Sequence, residues 1–165
     1  REVREVSKII KRDLTAIVTC SNMHEHGEGR IRLSYNVTNP LSFFMKTNLY
    51  ARYPSGETAI DKPVSYELYR ESVHYWLAKA PGGSVHELGE ISLKVRLTQP
   101  FIVCVRFPQV EIDGMRDIKI TPMFMIGREP LQSFLADTYA AFPAECEYDL
   151  LNVDRCLEQL LRARE

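Results

Sequence analysis

The segment GRIRLSYNVTNP, residues 29–40, decides the fold class because hydrophobic and polar side chains alternate along it. One face of this segment carries apolar and aromatic side chains, namely Ile31, Leu33, Tyr35 and Val37. The other face carries polar side chains, namely Arg32, Ser34 and Asn36. A period of two residues predicts a half-exposed β-strand. A strand with one polar face is typical of an antiparallel sheet.

Further segments also predict strands. EISLKVRLT, residues 90–98, repeats the alternation of apolar and polar side chains. TAIVTC (15–20) and SFFMKTNLYARY (42–53) are rich in the β-branched and aromatic residues that strands favour. FIVCVRF (101–107) is apolar on both faces, which predicts a central strand. Asp113-Gly114 is a strong signal for a hairpin turn between two further strands.

Helical periodicity is found at both ends of the chain. The opening segment, residues 1–14, spaces its apolar side chains as an amphipathic helix does, at Val3, Val6, Ile10 and Leu14. Residues 129–142 predict a second helix, with Pro130 in its first turn. Residues 148–165 predict a third helix, whose apolar side chains follow a 3-4-3 spacing at Leu150, Val153, Leu157 and Leu160.

The segment between residues 64 and 80 has two interpretations. Its apolar positions fit a helical stripe that Pro81-Gly82-Gly83 would end. The same aromatic-rich sequence also fits two short strands, because aromatic residues are favoured in strands. We favour the helix.

The predicted fold class is α+β. We expect mainly an antiparallel β-sheet or sandwich of six to eight strands, with an N-terminal helix and two C-terminal helices packed on it. The length of 165 residues predicts one domain over residues 1–165. The chain begins with Arg1, so we expect that it is either a processed protein or a fragment or subunit of something larger.

Charge and cysteine content exclude some functions. The chain has 21 Lys and Arg against 22 Asp and Glu and no strongly basic run, so no nucleic-acid partner is expected. No apolar run is long enough to span a membrane. The four cysteines form no C-x-x-C pair and are spread along the chain, which favours free thiols and an intracellular, cytoplasmic protein.

The histidines raise the question of a metal site. His26 and Glu28 stand two residues apart, and His86 follows in a second glycine-rich segment. Two histidines and one carboxylate are a common ligand set for mononuclear iron. This outline resembles the 2-oxoglutarate-dependent oxygenases, although Glu28 stands where they usually have Asp. The resemblance implies an enzyme that binds its metal with these residues and an acidic cosubstrate with Arg96.

Another arrangement of the same histidines resembles fragments of the two cupin motifs. His24-x-His26 would supply the first motif, and Pro81-x-Gly83-x-x-His86 the second. The pattern departs from the cupins because Val18 stands where a glycine is expected, and Arg30 and Ile31 stand where a carboxylate is expected.

The favoured interpretation is simpler. The histidines belong to polar, glycine-rich loops, and the chain contains no P-loop, G-x-G-x-x-G, G-x-S-x-G or H-E-x-x-H motif. We therefore predict a non-enzymatic protein-interaction or structural domain of a larger assembly, without a cofactor. The predicted partner-binding residues are aromatic side chains of the middle segment and apolar side chains of the last helix: Tyr50, Tyr53, Tyr69, Trp76, Leu150, Val153, Leu157 and Leu160. The sequence does not define the oligomeric state.

Overall fold

A computed structural model describes residues 8–20, 27–52, 58–111 and 119–163. Its main element is an eight-stranded antiparallel sheet with the strand order β4-β3-β2-β1-β10-β7-β6-β5. The strands of this sheet are β1 (Ile9–Cys20), β2 (Gly27–Asn36), β3 (Ser42–Arg52), β4 (Thr58–Tyr69), β5 (Val85–Leu88), β6 (Ile91–Val95), β7 (Ile102–Arg106) and β10 (Pro122–Gly127). A separate short pair joins β8 (Val110–Glu111) to β9 (Lys119–Ile120). The prediction of a mainly antiparallel sheet is confirmed.

The described part of the chain contains three helices. They are α1 (Arg70–Lys79), α2 (Arg128–Ala141) and α3 (Ala144–Arg162). α2 and α3 occupy the segments in which the sequence predicts helices. Among the described helices, none combines the length and the apolar character needed to cross a membrane.

The prediction of an N-terminal helix is wrong over residues 9–14, which belong to β1. Residues 1–7 lie outside the described residues. The side chains of Leu14 and Ala16 are buried, and that of Ile10 is partly buried, which is the alternation of a strand. Arg12 breaks this alternation, since it occupies a position on the same face and reaches α2, where Nη1 donates to Ser133 Oγ at 2.9 Å. A helical period and an interrupted strand period look alike over so short a segment.

The segment of residues 64–80 is half strand and half helix. β4 continues to Tyr69, and α1 begins at Arg70. β4 pairs with β3 along its length, and this pairing overrides the helical stripe in the sequence. The helix predicted for this segment is therefore correct only over its second half.

The core lies on the face of the sheet that α1 and α2 cover. β2 contributes Ile31, Leu33 and Tyr35 to it, each fully buried. α2 contributes Leu131, Phe134 and Leu135. The ring of Phe134 meets the ring of Phe43 edge-on, with the centroids 5.7 Å apart.

The sheet is strongly curled. β4 and β7 are separated in the strand order by β3, β2, β1 and β10. Nevertheless, Tyr66 of β4 stacks on Phe107, directly after β7, with the ring centroids 4.6 Å apart. α1, α2 and the start of α3 meet at one corner of the molecule, and this corner positions the candidate site.

Candidate interaction surfaces

The corner between β4 and α1 holds a fully buried arginine. Arg70 is the first residue of α1, and its relative exposure is 0%. Its guanidinium carbon lies 4.0 Å from the ring centroid of Tyr139, 5.1 Å from that of Tyr35 and 5.7 Å from that of Phe142. The attraction between a cation and an aromatic ring grows when the cation is removed from water. We call this arrangement the Arg70 cage.

Two polar contacts join Arg70 to the start of α3. Nε forms an ion pair with the Glu147 carboxylate, and Nη2 donates to the Phe142 carbonyl at 2.7 Å. Nη1 is buried and has no hydrogen-bond acceptor among the described residues. Because Glu147 belongs to the first turn of α3, the ion pair fixes the root of that helix against α1.

A groove of about 660 Å³ opens beside the Arg70 cage, between α1, α2 and the first turns of α3. Four of its lining side chains are aromatic rings or imidazole: His74, Tyr75, Tyr139 and Tyr148. Three others are carboxylates: Glu71, Glu145 and Glu147. Tyr75 and Tyr148 are both 67% exposed, so their rings are available to a ligand. The groove is therefore aromatic and acidic.

Beyond its first turns, α3 presents apolar side chains to solvent. Leu150, Leu157 and Leu160 are exposed, and Leu161 adjoins them at 66% exposure. The sequence places Leu150, Val153, Leu157 and Leu160 on one face of the helix, and we call this face the α3 stripe. Val153 is part of the helix, but its side chain is not among those described. An amphipathic helix normally covers its apolar face with a neighbouring element.

The structure gives His86 and Trp76 contacts within the chain. Their rings stack with centroids 5.4 Å apart, and His86 Nε2 lies 2.7 Å from Ser72 Oγ. Trp76 Nε1 donates to Ser84 Oγ at 2.9 Å. These contacts dock β5 on α1, so they explain both side chains as parts of the packing.

The structure places Glu28 and His86 but not the other predicted metal ligands. His24 and His26 lie outside the described residues. Glu28 is in β2 and His86 is in β5, and β1, β10, β7 and β6 lie between these two strands in the sheet. Within the described ranges, no group of three or more His, Cys, Asp or Glu residues is arranged to hold a metal ion. The site at His26, Glu28 and His86 stays a prediction.

Arg96, the predicted anchor for an acidic cosubstrate, lies on the surface after β6. Its Nη1 contacts the sulfur of Met125 at 3.6 Å. Arg96 also lies near Cys104 of β7, where burial raises the pKa of the thiol and Arg96 and Lys94 oppose that rise. A thiol with a raised pKa is poorly suited to act as a nucleophile at neutral pH.

The predicted tyrosines have different positions. Tyr69 ends β4 and is exposed. Tyr50 lies in β3, but its side chain is not among those described, and Tyr53 lies outside the described residues. Tyr75 of α1 lines the groove together with Tyr148 of α3.

Two tyrosines of the Arg70 cage, Tyr35 and Tyr139, have strongly raised pKa values. Burial raises the pKa of Tyr35 to about 12, with Arg70 opposing and Glu147 adding to the rise. Burial likewise raises the pKa of Tyr139 to about 12, with Glu147 adding to the rise and Arg70 opposing it. Both hydroxyls therefore remain neutral at physiological pH, and the charged groups of the cage are Arg70 and Glu147.

Sequence reasoning missed Arg70 and the groove. Arg70 occupies a position on the buried side of α1 together with Val73 and Leu77, at helical spacing. That spacing was the available signal, but an arginine on a helix is ordinarily expected on the exposed side. The groove could not be predicted because its lining comes from three helices whose packing no local pattern specifies.

The chain was compared with known proteins. No protein-family model and no curated protein matches it. Among solved structures, an SsgA-like sporulation-specific cell division protein from Thermobifida fusca is similar, with a TM-score of 0.61 and 17% sequence identity, over 93% of this chain and 96% of that one. SsgB of Streptomyces coelicolor, in which mutations correlate with longitudinal cell division during sporulation, is similar with a TM-score of 0.57 and 16% identity, over 87% of this chain and 95% of that one. These likenesses show a shared fold.

Proposed function

We propose that this chain is a non-enzymatic interaction module of a protein assembly, and that the α3 stripe is the surface that binds a partner. The observation that carries the proposal is the exposure of apolar side chains along α3, with Leu157 at 52% and Leu160 at 64%. Burying such side chains against a partner removes apolar surface from water, which is favourable by about 25 cal/mol per Å².

The spacing of the stripe indicates the kind of partner. Leu150, Val153, Leu157 and Leu160 follow the 3-4-3 spacing with which helices pack side by side. The helix offers only about two heptads of this pattern, which is too short for a stable coiled coil of its own. We therefore propose an amphipathic helix of another protein as the partner, docked along α3.

The fold neighbours support a role in cell division. Both similar structures are of proteins connected with cell division during sporulation. We propose that this chain likewise acts in cell division inside the cell, through contacts with proteins.

The test is a crosslinking experiment in cells that express the chain. The variant Leu157→Ser/Leu160→Ser changes the stripe, and the matched control Leu97→Ser/Phe101→Ser removes two other exposed apolar side chains, which are 72% and 63% exposed. We expect crosslinks between α3 and one helix of a partner in the parent chain and the control, and their loss in the stripe variant.

Two results would contradict the proposal. One is that the stripe variant and the control form the same crosslinks, so that changing the stripe has no effect of its own. The other is self-association of the purified chain that the stripe variant abolishes, since this would assign the stripe to a second copy of the chain. Light scattering on the purified proteins measures that second possibility.

A further inference from the structure

The groove between α1, α2 and α3 differs in chemical character from the apolar α3 stripe. Its lining combines aromatic rings with carboxylates, and the residues that line it include neither Lys nor Arg. We propose that the groove binds an arginine side chain in a basic peptide segment of a protein partner.

The Arg70 cage shows how this corner of the molecule holds a guanidinium. There, Tyr139 lies against the guanidinium and Glu147 forms an ion pair with it. Tyr139 and Glu147 also line the groove. The groove adds Tyr75 and Tyr148 as exposed rings, so it offers the same two kinds of contact on the solvent side.

Two carboxylates of the groove are available to a cation. Glu71 and Glu145 are both exposed. Within the ranges that the structure describes, neither of them forms an ion pair or a hydrogen bond with another side chain. Glu147, by contrast, is buried and already paired with Arg70. The negative charge that faces the groove therefore comes mainly from Glu71 and Glu145, and it is complementary to a basic segment.

The lining favours arginine over lysine. A guanidinium is planar, stacks on aromatic faces and donates two parallel hydrogen bonds to a carboxylate, whereas an ammonium is a compact and strongly hydrated charge. Arginine is also the more frequent partner of aromatic rings. The volume of about 660 Å³ leaves room for the side chain together with the neighbouring peptide backbone.

This site is distinct from the α3 stripe. Leu157 and Leu160 do not line the groove, and the groove residues Glu71 and Tyr75 belong to α1. A variant of the stripe should therefore leave arginine binding unchanged, and a variant of the groove should leave the helix contact unchanged.

The test uses a fluorescein-labelled glycine–serine peptide that carries two arginines. Fluorescence anisotropy measures its binding to the full chain, in parallel with the same peptide carrying lysine or the uncharged isostere citrulline. We expect saturable binding of the arginine peptide, weakened by added salt, with clearly weaker binding of the lysine peptide and none of the citrulline peptide.

Two variants probe the lining. Glu71→Gln/Glu145→Gln removes the free charges without changing side-chain size, and we expect roughly three- to tenfold weaker binding of the arginine peptide. Tyr148→Ala removes one exposed ring, and we expect roughly two- to fivefold weaker binding. The matched control Glu87→Gln/Glu111→Gln removes two exposed carboxylates elsewhere and should bind like the parent chain.

The proposal fails if the parent chain shows no saturable binding, or if arginine and citrulline peptides bind equally. It also fails if the Glu71→Gln/Glu145→Gln variant binds like its control, because the attraction would then come from overall charge. Equal binding of the lysine peptide would overturn the assignment of arginine. All the substituted residues are exposed, and circular dichroism checks that each variant is folded.

Discussion

Two parts of α3 differ sharply in their surroundings. The first turn is held by the Arg70 cage, where Glu147 is buried and paired. A few turns further on, Leu157, Leu160 and Leu161 are more than half exposed. In a single helix, a charged side chain is thus inside and apolar side chains are outside, which is the reverse of the usual distribution. The comparison indicates that the buried Glu147 at the root of α3 serves the fold, and it supports our proposal that the exposed later turns bind a partner.

The largest effect is expected when the cage loses its cation. Arg70→Met leaves the Glu147 carboxylate buried without a partner, and we expect it to lower the free energy of unfolding by about 3–5 kcal/mol. Urea denaturation followed by circular dichroism measures this loss. The double variant Arg70→Met/Glu147→Met removes both charges and should recover a large part of it.

Arg12 provides the matched control for Arg70. It forms an ion pair with Asp137 of α2, and both side chains are substantially exposed. Arg12→Met should therefore cost about 1 kcal/mol or less. Similar losses for Arg70→Met and Arg12→Met would show that burial of the cage does not strengthen its contribution to the fold.

A core substitution compares the buried Arg70 with a buried apolar side chain. Leu93 of β6 is fully buried on the face of the sheet that α1 covers. Leu93→Ala should lower the free energy of unfolding by about 2–5 kcal/mol, because it removes buried apolar surface and leaves a cavity. A loss below about 1 kcal/mol in urea denaturation would indicate that the sheet is less tightly packed at β6 than its burial implies.

Leu93 also illustrates what the sequence can predict. The alternation of residues 90–98 predicts a strand with Leu93 on the buried face, and the structure confirms this over residues 91–95. The strand ends before Leu97, which is 72% exposed. The local pattern contains this information because the burial of one face of a strand places apolar residues at every second position of the sequence. Residues 29–36 of β2 behave in the same way, with Ile31, Leu33 and Tyr35 buried.

The Arg70 cage and the groove could not be predicted in this manner. Their residues come from β2, the start of α1, α2 and α3, and only the packing of the helices brings them together. The N-terminal segment failed for a related reason, since Arg12 interrupts the alternation to contact a helix that follows more than a hundred residues later. The apolar spacing of α3 is a local pattern, so the sequence predicts an apolar face on this helix. It does not predict that Leu157 and Leu160 remain exposed, because this depends on how the described elements pack together.

The tyrosines of the cage give an effect that appears only at high pH. Their pKa values are about 12 in the folded chain, against a usual value of 10.0. Below about pH 10 the folded and the unfolded chain both keep these phenolic protons, so the two tyrosines do not make the free energy of unfolding depend on pH. Between pH 10 and 12 the unfolded chain loses the protons first, so stability should fall as the pH rises.

Tyrosinate absorbance measures this titration. We expect Tyr35 and Tyr139 to titrate near pH 12 in the folded chain, and near the usual value of 10.0 in denaturant. Since Arg70 opposes the rise in both pKa values, its replacement in a variant that still folds should delay the titration of the two tyrosines further. Titration of Tyr35 and Tyr139 near pH 10 in the folded chain would show that the cage is open to water.

The smallest effect on stability is expected in the exposed later turns of α3. Leu157 is 52% exposed, so Leu157→Ala should change the free energy of unfolding by no more than about 0.5 kcal/mol. The same substitution should weaken partner binding through the α3 stripe, since a truncated side chain buries less apolar area at an interface. Stability is measured by urea denaturation, and binding by the yield of the α3 crosslink. A loss of stability approaching that of Leu93→Ala would mean that the chain itself covers Leu157 in solution, and the stripe would then belong to the fold rather than to a partner.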